Sequence, residues 1–393
     1  MKNPLTWLSR RRFPYEPLIK VEISKSRLTH NLNEFKKLAP ENKIAPVLKS
    51  NAYGHGLLEI ANLLESEIKK SGIMKKHLPF FVVDSYFEAV ALRAKGIKTP
   101  LLIIGYTRPE TILTSHLSHI SYTISNLESL QAIKNCKHTI SIHLKIDTGM
   151  HRQGILPSEI DQTIQYLKNS PRVSLDGICS HLCDADNQDS KFTKNQISIW
   201  NNAVKKIKNE FPNIKYIHLS ATDGHKYSPI IEANVSRLGL GLYGITEKFN
   251  AELDLQPVLE MKTIITGIKK LRQGETIGYN NTFKAERDMT VATIPVGYFE
   301  GVDRKLSNIG AIEVVHGSTN QKTICPIIGR VSMNITSIDI SGISDVSIGT
   351  EVIVISNNPS NKNSIQSISK LCGTIEYERA VHIPEHLKRV ISC

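Results

Sequence analysis

Between residues 20 and about 245, short apolar, β-rich runs alternate with stretches whose apolar residues recur at helical spacing. Eight runs read as strands: 44–50, 80–85, 101–106, 121–125, 140–147, 175–181, 216–220 and 237–243. Each is nearly continuous in apolar residues, the pattern of parallel strands covered on both faces. Leu28, Leu32 and Phe35 fall at spacings of 4 and 3 after a serine-containing start that can cap a helix. Leu57, Ile60, Ala61, Leu64 and Ile68 repeat that pattern, as do Ile199, Trp200, Ala203, Val204 and Ile207. Eight βα units over roughly 225 residues predict a (β/α)8 barrel. An open doubly wound sheet has the same periodicity, which alone does not separate the two.

After about residue 250 the helical spacing fades. Runs at 259–266, 289–295, 312–315, 322–328 and 351–355 are β-like and separated by Gly, Asn or Ser turns. The expected organisation is an N-terminal extension over 1–19, an α/β barrel over 20–248 and a mostly β domain over 249–393. The tract 357–364 (NNPSNKNS) reads as a surface loop.

Composition narrows the function classes. A chain of 393 residues with 40% hydrophobic residues can bury a large core, which excludes wholesale disorder. The net charge of +12 permits an anionic partner. Its basic residues are scattered, however, with no aromatic-interleaved stripe, so neither nucleic acid nor a membrane surface is expected as a partner. Six cysteines include no CxxC pair, which fits a reducing compartment. Arg10, Arg11 and Arg12 are not followed by an apolar run of signal-peptide length. The expected location is the cytoplasm.

Functional side chains gather at the C-terminal ends of the predicted strands, the rim where barrels build their sites. Lys49 closes the first run; partly desolvated there, its amine can lose a proton and attack a carbonyl, or it can simply snorkel to the rim. The fifth run carries Lys145 and Asp147 on one face, an inward polar pair or a structural ion pair, with Arg152 just beyond. The sixth ends at His181, followed by Asp184, Asp186 and Asp189. Those acids lie in one polar, loop-like run rather than converging from several strands, so no metal centre is expected. Ser220, with the backbone at Gly239 and Leu240 after the eighth strand, suits a phosphate dianion. In the β region, Tyr298 lies in a glycine-flanked turn; its hydroxyl needs help to act as a base near neutral pH.

Taken together, VLKSNAYGHG at 47–56, HLKIDTGMHRQG at 143–154, GICSHLCDADNQD at 177–189, SRLGLGLYG at 236–244, IPVGYFEG at 294–301 and GRVSMN at 329–334 resemble the alanine racemases. Those are pyridoxal-phosphate (PLP) enzymes with an N-terminal barrel and a C-terminal β domain. The likeness runs from about residue 18 to 390. It implies that Lys49 holds PLP as a Schiff base and serves as the base on one face of the substrate. Tyr298, supplied by the partner subunit of a homodimer, would be the opposite base. Tyr53, Ser220, Gly239, Leu240 and Tyr377 would hold the phosphate, His181 would stack on the pyridine ring, and Arg237 would face the ring nitrogen. Arg152 and the backbone N–H of Met333 would meet the substrate carboxylate. Lys145 would match a lysine often found carbamylated.

The resemblance thus implies interconversion of L- and D-alanine by two bases, supplying D-alanine for peptidoglycan. A racemase of broader specificity, or one for serine or lysine, would share nearly every residue named. Departures from the family pattern are also expected. Asn334 stands where an aspartate is usual. Leu219 and Ser220 stand in for an asparagine-serine pair, and Tyr216 for a histidine.

Overall fold

The computed structural model describes residues 16–70, 77–187, 190–245 and 253–392. Arg10 to Arg12, most of the expected extension over 1–19, and Asp189 lie outside them. The chain divides into two units. One comprises Lys25–Val258; the other joins β1 (Lys20–Ser24) to Leu259–Ser392.

The first unit is built on β2 (Lys43–Pro46), β3 (Phe81–Val83), β4 (Leu101–Ile103), β5 (Ile120–Ile124), β6 (Ile140–Lys145), β7 (Val173–Cys179), β8 (Tyr216–His218) and β9 (Val235–Leu238). Strands β3 to β8 lie side by side in sequence order, all parallel, and β2 pairs in parallel with β9. Backbone hydrogen bonds seam these two sheets. Leu48 N–H donates to Val82 O (2.7 Å) on one side; Asn234 N–H donates to Ile217 O and Arg237 N–H to Ser220 O (both 3.0 Å) on the other. The ring is therefore an α/β barrel rather than an open sheet.

The helices form where the spacing predicts them. Helix Lys25–Leu38 buries Leu28, Leu32 and Phe35, and helix Leu57–Lys70 buries Leu57, Ile60, Ala61 and Leu64. Helix Lys191–Glu210 buries Ile197, Trp200, Ala203, Val204 and Ile207. Each such leucine, isoleucine, valine or phenylalanine contributes about 1.5–3 kcal/mol when fully buried. The Trp200 indole N–H donates to Glu232 O (3.0 Å), so this wholly buried ring leaves its donor satisfied. Ser85 and Glu88 form a reciprocal capping box at the start of helix Tyr86–Ala94.

Several strands stop short of the apolar runs that predict them. The run 237–243 splits at Gly239: β9 ends at Leu238, and Leu240–Tyr243 wind into a 3-10 turn. Leu240, Leu242 and Tyr243 are still fully buried. The run records burial at the rim, and burial outlasts the strand.

In the second unit, β1 is joined by β10 (Leu259–Ile264), β15 (Ala311–His316), β16 (Gln321–Pro326), β18 (Glu351–Ile355) and β19 (Lys388–Ser392). These six form one sheet in the order β16-β15-β18-β10-β1-β19. A second sheet has the order β11 (Gly267–Leu271), β14 (Met289–Ile294), β17 (Thr336–Asp339), and β12 (Thr276–Ile277) pairs with β13 (Phe283–Lys284). Strand β1 runs antiparallel to β10 and parallel to β19. The expected barrel start at residue 20 thus moves to Lys25, because Val21 and Ile23 are buried in this sheet instead.

The tract 357–364 is not wholly on the surface. Asn363 is buried, donating to Ile353 O (2.8 Å), and buried Ser364 caps helix Ile365–Cys372 by accepting from Ser367 N–H (3.1 Å). Polar composition suggested exposure, but these polar atoms are spent on backbone groups. Among the described residues no helix is long and apolar enough to cross a membrane.

Candidate active site

Lys49 stands just past β2, at the start of a left-handed turn. Ser50, Asn51, Ala52 and Tyr53 have φ of 55°, 55°, 52° and 52°. For L-residues this conformation costs roughly 1–2 kcal/mol per residue, so the surroundings must hold it. Ala52 N–H donates to Leu48 O (2.8 Å), Ser50 N–H to Glu88 Oε1 (2.7 Å) and Leu57 N–H to Asn51 Oδ1 (2.8 Å). The turn leaves Lys49 half-buried and sends Tyr53 back into the barrel.

The Tyr53 hydroxyl lies 3.0 Å from where a Cβ on Gly239 would stand. Burial pushes the Tyr53 pKa up, against the smaller opposing pull of Arg237, so the phenol stays a donor. Thr222 Oγ1 accepts from Gly239 N–H and Gly241 N–H (both 3.3 Å). Both bonds are long, so these amides remain open to a better acceptor. A Cβ on Gly241 would come within 2.5 Å of the Phe35 ring, which requires glycine there. Tyr53, Gly239, Gly241 and Thr222 thus form a ring of donors with a rotatable hydroxyl. Ser220 is buried two residues before Thr222, its carbonyl accepting from Arg237 N–H.

Arg237 is wholly enclosed. Nη1 donates to His218 Nδ1 (2.6 Å) and His218 O (3.0 Å). Nη2 donates to Ser180 O (2.7 Å) and Leu219 O (2.9 Å), and lies 3.2 Å from His181 Nδ1. Both terminal nitrogens are thereby committed to the barrel's own acceptors. Guanidinium has no acceptor, so His218 Nδ1 must accept and its proton sits on Nε2. That proton is donated to His143 Nδ1 (2.7 Å). Burial, and then Arg237, pull the His218 pKa well down. Burial likewise holds His143 at about 3. Two neutral imidazoles therefore back one fixed cation.

His181 is also held neutral, its pKa pulled down to about 3 by burial and then by Arg237, Lys145, Arg152 and Lys49. Those four cations all act on one imidazole. The Lys145 pKa is lowered by burial, with Arg237 and Arg152 adding to it and Cys179 opposing. Lys145 lies near Gln153 Oε1 (3.4 Å). The expected Lys145–Asp147 pair does not form, because Asp147 Oδ1 accepts from Gly149 N–H (2.9 Å) and His151 N–H (3.1 Å). The carboxylate closes the loop that carries Arg152. Asp184 Oδ2 is likewise taken by Asn187 and Ser190.

Two site groups escape the sequence reading. Thr222, not Ser220, meets the glycine amides. His218, not Tyr216, meets Arg237; Tyr216 sits at the start of β8, its ring 5.7 Å from that of His143. His218 closes β8 and Thr222 lies four residues on, past an irregular stretch that carries no periodic signal.

In the second unit Tyr298 is 44% and Met333 55% exposed. Tyr298 N–H donates to Ser332 O and Phe299 N–H to Met333 O (both 3.0 Å), so the two segments form one surface. Tyr377 is half-buried on helix Glu376–Val381.

Models of two domains match this chain: "Alanine racemase, N-terminal domain" over residues 23–247 and "Alanine racemase, C-terminal domain" over 258–391. The chain belongs to the alanine racemase family. It is 32% identical to the alanine racemase of Clostridium tetani over 378 residues, covering 94% of each chain. It is 30% identical to that of Methanococcus maripaludis over 380 residues, covering 94% of this chain and 97% of the relative. Among solved structures, the alanine racemase of Clostridium difficile aligns with a TM-score of 0.85 at 28% identity, covering 96% of both chains. That of E. faecalis aligns with a TM-score of 0.82 at 25% identity, covering 96% of this chain and 99% of the other.

Proposed function

We propose that this member of the alanine racemase family is a cytoplasmic, PLP-dependent homodimer that interconverts L- and D-alanine, supplying D-alanine for peptidoglycan. The observation that carries this reading is the barrel rim. Four cations, among them the Lys49 amine at the end of β2, and a ring of N–H and O–H donors gather around neutral His181. The residues present fit the cofactor: the donors of Tyr53, Gly239, Leu240, Gly241 and Thr222 suit its phosphate, and Lys49 its aldehyde. Neutral His181 suits a ring face, and charged Arg237 a ring nitrogen. Arg152 suits its phenolic oxygen and the substrate carboxylate.

PLP supplies the electron sink that lets an amino acid Cα–H ionise. The chain's own groups do the rest. Lys49 takes or returns the Cα proton on one face. The Tyr298 hydroxyl does the same on the other, and comes from the second subunit. Fixed as a cation by five contacts, Arg237 keeps the ring nitrogen from gaining a proton, since two positive charges there would repel. Arg152 and Met333 N–H hold the carboxylate so that only the proton moves.

The test is chiral analysis of product after incubating purified, PLP-loaded protein with L-alanine. Accumulation of D-alanine toward an equal mixture, with no loss of CO2, is expected. Turnover of serine or lysine with none of alanine would overturn the substrate assignment.

A further inference from the structure

We propose that Asn334 and Glu300 form a polar clasp that positions Tyr298 and Met333; the inference rests on the roles proposed above for those two residues. The buried Glu300 carboxylate joins two segments of the second unit. Its Oε2 accepts from Gly297 N–H (2.8 Å), on its own turn, and its Oε1 accepts from Asn334 Nδ2 (2.6 Å), beside Met333. Between these bonds run the two backbone contacts of Tyr298 and Phe299 with Ser332 and Met333. The segments approach so closely that a Cβ on Gly297 would run into the carbonyls of Ser332 and Met333. Thr336 Oγ1 completes the joint by donating to Val296 O (2.7 Å). Moving Asn334 therefore moves both the tyrosine and the N–H meant for the substrate carboxylate.

The clasp also accounts for a departure from the family pattern. An aspartate at position 334 would place a second carboxylate against Glu300 at hydrogen-bonding distance. Two carboxylates so close repel when both are ionised, and one pKa rises. An amide, unlike a carboxyl group, donates to Glu300 across the whole working range of pH. Ionisable groups on the adjoining segments include Asp303, paired with Arg379 (2.5 Å), His382, whose Nδ1 lies 3.0 Å from Arg379 Nη2, His386, stacked on Phe299 (4.8 Å), and Arg330, at the start of the Met333 segment. All of these remain in every variant below, so wild type controls for their titration.

The experiment compares PLP-loaded wild type, Asn334→Asp, Glu300→Gln and the double variant Glu300→Gln with Asn334→Asp from pH 5 to 9. It reads racemase kcat and KM together with hydrogen exchange of the Tyr298 and Phe299 amides. Below its raised pKa, Asn334→Asp shares one proton with Glu300 and stays closed. As pH rises through that pKa the carboxylates repel, kcat falls about tenfold, and the two amides exchange faster than in wild type at the same pH. In the double variant the side-chain amide introduced at position 300 donates to the carboxylate introduced at position 334, while its carbonyl accepts from Gly297 N–H. The bond is restored with its polarity reversed, so activity and amide protection return and the new pH dependence vanishes.

Wild-type behaviour of Asn334→Asp at every pH would overturn the clasp, as would a double variant no better than the single ones. If exchange responds as expected but Tyr298→Phe keeps full racemase activity, the reading of Tyr298 fails instead. The positioning role is then overturned with it, and the clasp is only structural.

Discussion

The barrel rim and the Tyr298–Met333 surface hold their functional groups by different means. At the rim, side chains are fixed by burial and by side-chain hydrogen bonds: Arg237 makes five close contacts, and Tyr53 is enclosed behind a strained left-handed turn. In the second unit the backbone is fixed by two interlocking segments while the side chains of Tyr298 and Met333 stand exposed. The first arrangement suits a permanently held cofactor, whose charge and ring plane must not wander. The second suits a surface that completes its environment against another molecule, here proposed to be a second copy of the chain.

The sharpest way to break this contrast is to delete one group from each region. Lys49→Ala is expected to abolish racemisation, by about a thousandfold or more, and to remove the covalent, borohydride-sensitive attachment of PLP. Tyr298→Phe is expected to lose about 10²–10⁴ in kcat while PLP stays bound and the melting temperature is unchanged. Equal loss of cofactor in both variants, measured by absorbance after gel filtration, would erase the distinction.

Next comes the donor ring. Thr222→Val should weaken PLP affinity about tenfold, because it removes a hydroxyl from the glycine amides. Ser220→Ala should change it much less. Equilibrium titration of apoprotein with PLP compares the two, and the reverse order would return the phosphate role to Ser220.

These two residues show what the sequence makes legible and what it does not. The barrel, the β domain and the positions of Lys49, Arg237, Gly239 and Tyr298 follow from local pattern and motif. Ser220 and Thr222 are both small hydroxyl residues two apart, and no periodicity tells which one faces the glycines once β8 has ended at His218. The membership of β1 in the second unit's sheet is equally hidden, because a strand's partners more than 230 residues away leave no mark on its own five residues. Polarity misleads at Asn363 and Ser364, whose side chains are satisfied internally.

The imidazoles of the rim make a prediction about pH. His143 and His181 are held neutral with pKa near 3, against an ordinary value near 6.5. The unfolded chain therefore binds their protons first. Stability of the cofactor-free protein should be flat above pH 6.5 and fall as pH drops toward 3, by up to about 1.4 kcal/mol per pH unit for each histidine. Urea midpoints at pH 8, 6 and 5 check this, and a flat profile across that range would contradict it. The smallest effect is expected at Ser50, which is exposed with φ of 55°. Ser50→Gly should relieve left-handed strain and stabilise the barrel by about 1 kcal/mol. A lower melting temperature would show that the side chain supports the turn.

The central claim is that the two bases come from different regions of the chain and from different subunits. Mixing inactive Lys49→Ala and Tyr298→Phe proteins, after subunit exchange is verified with mass-labelled copies, tests it directly. Random pairing gives half heterodimers, each with one intact site, so about a quarter of wild-type activity should return. No recovery after proven exchange would place both bases in one subunit and contradict the account.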